Sequence, residues 1–174
     1  ACGKGNSRSS YRSSSILDNA TDWKILVDFT KKKILFPPEI YATSERPDIV
    51  LFSHSSHKVI LIELTCPAEE GIEAASLRKK GRYNQLLADI NDDVDNPWSA
   101  SLFTIEGGAR GFVAYSMLSF LRKIGIAPRK ARSICKQVSC ILVRCSYAIW
   151  LQREAHNWDS NRELIELNSP LGAE

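Results

Sequence analysis

Two short apolar runs, Ile49 to Phe52 and Val59 to Ile62, flank a polar stretch from Ser53 to Lys58. β-Branched residues on both sides of a serine-rich tip predict a hairpin. With the tip between Ser55 and Ser56, Asp48 and Glu63 face each other at the open end, their side chains a few ångströms apart. Upstream, Trp23 to Phe29 and Lys33 to Phe36 predict two strands, the second ended by Pro37 and Pro38. A short helix from Tyr11 to about Ala20 precedes them. Glu39 to Arg46 is a connector, and Pro47 fixes the angle at which the chain enters the hairpin.

Beyond the hairpin the period changes. Pro67 stops the strand, and Glu69 and Glu70 precede a helix from about Gly71 to Ile90. Its apolar stripe is Ile72, Ala75, Tyr83, Leu86, Leu87 and Ile90, with the small Ser76 beside it. Lys79 falls on that stripe and Lys80 one step round, towards its edge. A lysine on the sheet-facing side of a helix wants an acidic partner, and the two hairpin carboxylates provide one. Asn91 to Ser99 is a polar loop, Leu102 to Glu106 a strand ended by Gly107 and Gly108, and 109–124 an amphipathic helix stopped by Gly125. Pro128 suits the first turn of a long helix to about Trp158. Its expected core stripe is Ile134, Val138, Ile141, Leu142, Cys145 and Ile149. Residues 1–10 are small and polar and read as a disordered start; 159–174 are a weakly patterned tail. The remainder, 11–158, is one domain. Its order of elements is that of a layered α/β or α+β fold with a mixed central sheet flanked by helices.

Composition narrows this only a little. The 174 residues are 44% apolar and 25% charged, ordinary for a soluble globular domain with a real core. No apolar run approaches the roughly 20 residues needed to span a bilayer, so no membrane association is expected. A start at Ala1 rather than Met is that of a fragment or a processed product. The net charge of +3 is weak, but basic residues cluster at Lys31 to Lys33, Arg78 to Arg82 and Arg122 to Arg132. Such clusters either follow a phosphate backbone or are solvated helix faces. Five cysteines without a CxxC pair argue against zinc and for reduced, packed thiols in an intracellular protein. His54, His57 and His156 are scattered and carry no chemistry.

The chemistry sits with Asp48 and Glu63. Two carboxylates beside a hydrophobic strand resist ionising together unless a cation joins them, which is the signature of a divalent metal site. For Asp48 the plain alternative is a turn cap after Pro47. Glu63, between an apolar run and Leu64, is costly to bury without a partner. Lys79 is either a site residue or a lysine whose stem lies along the surface, and Tyr83 is a core aromatic in either case.

A Pro-Asp followed by a strand ending in Glu-x-x is the sequence shape of the PD-(D/E)XK nucleases. RPDIVLF and then VILIELTCPAEEGIEAASLRKKGRYNQLLADI resemble the restriction-like endonuclease domain of site-specific non-LTR retrotransposons. Thr65 stands where the wider superfamily has a strand lysine. In the retrotransposon domains that basic residue has moved to the following helix, which carries Lys and then Tyr within about one turn; Lys79 or Lys80 with Tyr83 matches this. Gly107 to Phe112 (GGARGF) resembles the family's Gly-x-Arg-Gly-aromatic element, with Arg110 as its basic member. The resemblance covers roughly 11–158 and is strongest over 46–112. At Tyr11 to Leu17 (YRSSSIL), relatives have His and Asp where this chain has Ser13 and Ser14, leaving Asp18 and Asp22 as the acids on hand for a third ligand.

The resemblance implies a restriction-endonuclease-like core and Mg²⁺-dependent hydrolysis of DNA phosphodiester bonds, with Mn²⁺ as a substitute. It implies that Asp48, Glu63 and the Leu64 carbonyl hold the metal, which lowers the pKa of a bound water and stabilises charge on the phosphate. Lys79 or Lys80 would orient the water or offset charge, with Tyr83 steadying the lysine. Arg46, Thr65, Arg82 and Arg110 are the candidate DNA contacts. The implied setting is nuclear: nicking of target DNA for primed reverse transcription, alongside the reverse transcriptase and DNA-binding modules of a larger polyprotein, with a dimer possible. Two alternatives stand beside it. One is a nuclease-like module with weakened catalysis that binds nucleic acid or protein; the other is a resolvase or repair nuclease of the same fold.

Overall fold

A computed structural model describes residues 14–27 and 35–154. One mixed sheet runs in the order β1 (Lys24–Val27), β2 (Ile49–Ser53), β3 (Lys58–Thr65) and β4 (Ser99–Glu106). The first three strands are antiparallel neighbours, whereas β3 and β4 are parallel. A parallel pair needs a crossover. It is supplied by a 3-10 turn, Glu69–Gly71, and helix α1, Ile72–Asn91. Helices α2 (Tyr115–Lys123) and α3 (Pro128–Leu151) complete a mixed α/β arrangement, the expected class.

The hairpin has the expected register, with Ile49 opposite Ile62 and Ser53 opposite Lys58 around a turn at 54–57. β3 is central, and Val59 to Glu63 are all buried, which is why its apolar run is nearly continuous. Alternate side chains serve two cores. Val59 and Leu61 pack with Phe52, Tyr83, Leu86 and Ile90 beneath α1. Ile60 and Ile62 pack with Phe120 of α2 on the other face. Burying a side chain as large as Leu61 or Ile90 contributes about 2 kcal/mol each. The alternation puts Glu63 on the α1 side of the sheet.

Several expectations need correction. Within the span assigned to a first helix, 16–19 form turns, held by the Asp18 carboxylate accepting from the Ser15 N–H at 2.7 Å; 11–13 lie outside the described residues. Leu35 and Phe36 are not strand, because Pro37 and Pro38 offer no ladder donors; 28, 29, 33 and 34 also lie outside. β4 begins at Ser99, ahead of Leu102, since the Asn91 side chain both donates to the Ala100 carbonyl and accepts from its N–H.

The helix expected over 109–124 starts only at Tyr115. Gly108 donates to the Phe112 carbonyl at 2.6 Å and Gly111 adopts φ +95°, so the glycine-rich stretch closes as a turn. α2 ends in a Schellman pair, Gly125 N–H to Arg122 O and Ile126 N–H to Leu121 O, with Gly125 at φ +89°.

α3 starts at Pro128 as expected and is followed to Leu151; Trp158 and His156 lie outside the described residues. Only Ala131 of α3 is buried. Ile134, Val138, Leu142 and Cys145 are half-buried, but Ile141 and Ile149 of the expected core stripe are exposed, because the helix rests on one side only. By length and composition α3 is apolar enough to cross a membrane, with a window of mean hydropathy 1.3, none of it buried. The interrupted run concealed this: Lys136 and Arg144 break it in sequence. Cys66 and Cys140 are exposed rather than packed, and all four cysteines among the described residues are free.

Candidate active site

Glu63 is the centre of the site because the sheet gives it nowhere else to point. It lies on the central strand at 1% exposure, facing α1. Three groups meet it. The Lys79 ammonium donates to Oε2 at 2.8 Å. The Tyr83 hydroxyl makes a short hydrogen bond with Oε1 and lies 3.0 Å from the Arg46 carbonyl. The Asp48 carboxyl is close enough to hydrogen-bond the protonated form of Glu63 and repel its ionised form. Lys79 and Tyr83 are one helical turn apart and share a face, which is how one helix brings both to one carboxylate.

Burial is the main force raising the Glu63 pKa above the usual carboxylate range, and Asp48 adds to it; Lys79 and Tyr83 oppose. Tyr83 is fully buried, and burial together with the neighbouring carboxylate pushes its hydroxyl well above the ordinary tyrosine value. Asp48 is anchored by its other contact: Oδ2 accepts from the Leu64 N–H at 2.7 Å.

Helical phase sends the two lysines to different neighbours. Lys79 is one-quarter exposed and bonded to Glu63, whereas Lys80 is exposed and acts electrostatically on Glu106. Arg82 points outward to Glu45 at 2.8 Å and lies over the Tyr83 ring. Arg46 contributes its carbonyl to Tyr83. Thr65 pairs with Glu106 across the parallel strands, and its carbonyl accepts from the Gly107 N–H. Arg110 is bound on two sides, to Glu69 at 2.6 Å and Glu70 at 2.8 Å, while its own N–H donates to Glu69. These contacts hold the glycine-rich turn against the start of α1.

The acids considered for a third ligand go elsewhere. Asp18 caps its own turn. Asp22 binds the hairpin tip at the far end of the strands, accepting from Ser53 Oγ at 2.6 Å and Ser55 Oγ at 2.5 Å, which pulls its pKa well down. Among the described residues, no group of three or more His, Cys, Asp or Glu is arranged to hold a metal. Two carboxylates still fit Mg²⁺, which commonly takes one or two from the protein and fills the rest with water and phosphate oxygen. A pair of carboxylates in contact, one of them resisting ionisation, is the electrostatic situation that a hard cation relieves.

Sequence reasoning passed over Glu106. It is 4% exposed at the end of β4, with Oε2 accepting from Ser116 Oγ at 2.5 Å and Oε1 without a hydrogen-bond partner. Burial alone would raise its pKa; nearby Ser116, Thr104, Ser76 and Lys80 hold it below the usual value. Its signal was a lone carboxylate in strand period with Thr104, which hydrogen-bonds Ser76 of α1. No family model and no curated protein matches this chain.

Proposed function

We propose that this chain is a metal-dependent DNA endonuclease domain with a restriction-endonuclease-like core, one that nicks DNA in the nucleus as part of, or as a descendant of, a retroelement. The observation that carries the reading is the convergence of Asp48, Lys79 and Tyr83 on the buried Glu63. Asp48 and Glu63 would hold Mg²⁺ or Mn²⁺, with the Leu64 carbonyl at the adjoining strand position. When bound, such a metal supplies an activated water and stabilises charge on the phosphate.

The chain's own residues do the rest. Lys79 balances the carboxylate pair and brings a positive charge to the place where charge grows during hydrolysis. Tyr83 fixes the Glu63 carboxyl from the buried side and ties it to the Arg46 backbone. The Leu64 N–H fixes Asp48. Arg46 precedes the motif and Arg82 lies on the exposed side of α1, in reach of a duplex backbone. Arg110 is tied to two glutamates, with which a DNA phosphate would have to compete.

The second reading is a nuclease-like binding module with weakened catalysis. It is favoured by one observation: both oxygens of Glu63 are already engaged, by Lys79 and Tyr83. A supercoiled-plasmid nicking assay with Mg²⁺, Mn²⁺ or chelator separates the two. The endonuclease reading expects metal-dependent open circles, abolished by Asp48→Ala and by Glu63→Ala. DNA retained on the protein without nicking supports the second reading.

A further inference from the structure

From Gly107 to Arg153 the sequence has repeated Lys and Arg and no Asp or Glu. A chain of net charge only +3 is therefore strongly positive along this stretch and acidic elsewhere. Helix α3 arranges part of that charge. Arg129, Arg132, Lys136 and Arg144 follow at spacings of three, four and eight residues, which is one face of a helix. All four are exposed, and the opposite face carries the buried Ala131 and the half-buried Ile134, Val138 and Leu142. At about 1.5 Å per residue the stripe is about 22 Å long. None of the four has an acidic partner among the described residues.

The same face continues into aromatic residues. Tyr147, one turn beyond Arg144, stacks on Trp150 with ring centroids 6.2 Å apart and planes 16° from parallel. Both residues are more than half exposed, and the Arg153 guanidinium lies over the Trp150 ring at 4.4 Å. Exposed rings beside a row of unpaired cations match a strand that offers phosphates and unstacked bases together. A duplex keeps its bases paired and offers the rings nothing. A lipid surface fits less well, because Arg144 sits on this face between Lys136 and Tyr147, and sinking the rings into lipid would carry its guanidinium with them.

We propose that the outward face of α3 binds single-stranded nucleic acid, DNA or RNA, with phosphates along Arg129, Arg132, Lys136 and Arg144 and bases on Tyr147 and Trp150. The inference goes beyond the nuclease reading and does not depend on it, since none of these residues belongs to the site around Glu63.

Fluorescence anisotropy tests it on the full chain, with labelled oligo(dT), oligo(U) and a duplex of equal length, in chelator so that no cleavage occurs. Single strands are expected to bind more tightly than the duplex. Four contacted phosphates give a slope of log affinity on log salt of about −3. Arg132→Gln with Lys136→Gln is expected to flatten that slope by about 1.4. Tyr147→Leu with Trp150→Leu is expected to weaken single strands at least about tenfold and to leave the slope and the duplex unchanged. The tighter of oligo(dT) and oligo(U) names the sugar. Binding that is absent, that favours the duplex or that ignores the aromatic substitutions overturns the proposal. Uptake by phosphatidylserine vesicles without oligonucleotide binding overturns it too. The strand preference and the salt slope are read on the native chain and stand even where a variant fails to fold.

Discussion

The Lys79 ammonium stands 2.8 Å from Glu63 Oε2, joining helix α1 to the central strand where the carboxylate is almost wholly buried. Removing the lysine leaves that carboxylate without its cation. Lys79→Met is expected to cost about 1–3 kcal/mol, below the full penalty for a buried pair because the lysine is one-quarter exposed. Urea unfolding of Lys79→Met, Glu63→Gln and the double variant measures the coupling. Strictly additive losses would show that the pair contributes nothing.

The adjacent lysines are expected to separate in activity as they do in space. Lys79→Met should lower metal-dependent nicking at least about 100-fold, and Lys80→Met by less than about tenfold. Initial rates of open-circle formation decide it; equal losses would argue against helical phase as the selector.

The raised Glu63 pKa gives a pH dependence of definite sign. The folded state holds this proton more tightly than the unfolded chain, so the contribution to stability is complete below the ordinary value of 4.5. It is lost as pH rises through the higher folded value. Asp22, Glu69, Glu70 and Glu106 have lowered pKa values and slope the other way. The test is therefore a difference: wild type minus Glu63→Gln should fall as pH rises above about 4.5. A rising difference would contradict it.

Tyr83→Phe keeps the buried ring and removes only the hydroxyl between Glu63 and Arg46. A loss of about 1–2 kcal/mol is expected on thermal unfolding. The Glu63 pKa should rise further, since Tyr83 now helps to lower it; carboxyl ¹³C titration reads this directly. An unchanged Glu63 titration would remove Tyr83 from the site.

Gly111 holds φ +95°, and a Cβ there would lie 2.5 Å from Val143 Cγ2. Gly111→Ala should cost about 1–3 kcal/mol through strain and displacement of α3. Arg110→Ala, in the same turn but 72% exposed, should cost no more than about 1 kcal/mol. Chemical denaturation ranks the two, and the reverse order would show that the ion pairs, not the glycine, set this turn.

The hairpin was legible in sequence because its strands are buried on both faces and its tip is polar, so one register hides the apolar residues. Helix α1 was legible for a related reason: Ala75, Tyr83, Leu86 and Ile90 have one period and one buried face. From that register and that face, Asp48, Glu63, Lys79 and Tyr83 could be brought together on paper. What could not be read was set by contacts across the chain. Asp22 was a weak candidate for a third ligand in sequence, and nothing there showed that Ser53 and Ser55 would claim it. The stretch 109–114 has helical periodicity, but Gly108, Gly111 and the Glu69–Arg110 contact close it as a turn. Ile141 and Ile149 have core spacing on a helix with nothing described packed over them, and Glu106 is buried at a strand end where Ser116 of α2 donates to it.

The most direct test of the site is whether its carboxylate pair takes up a divalent cation. Mn²⁺ titrated into the full chain and followed by electron paramagnetic resonance counts the bound metal. A single class of site is expected, lost in Asp48→Asn and in Glu63→Gln and retained in Lys80→Met. Binding that is absent, or that survives both carboxylate substitutions, would contradict the assignment.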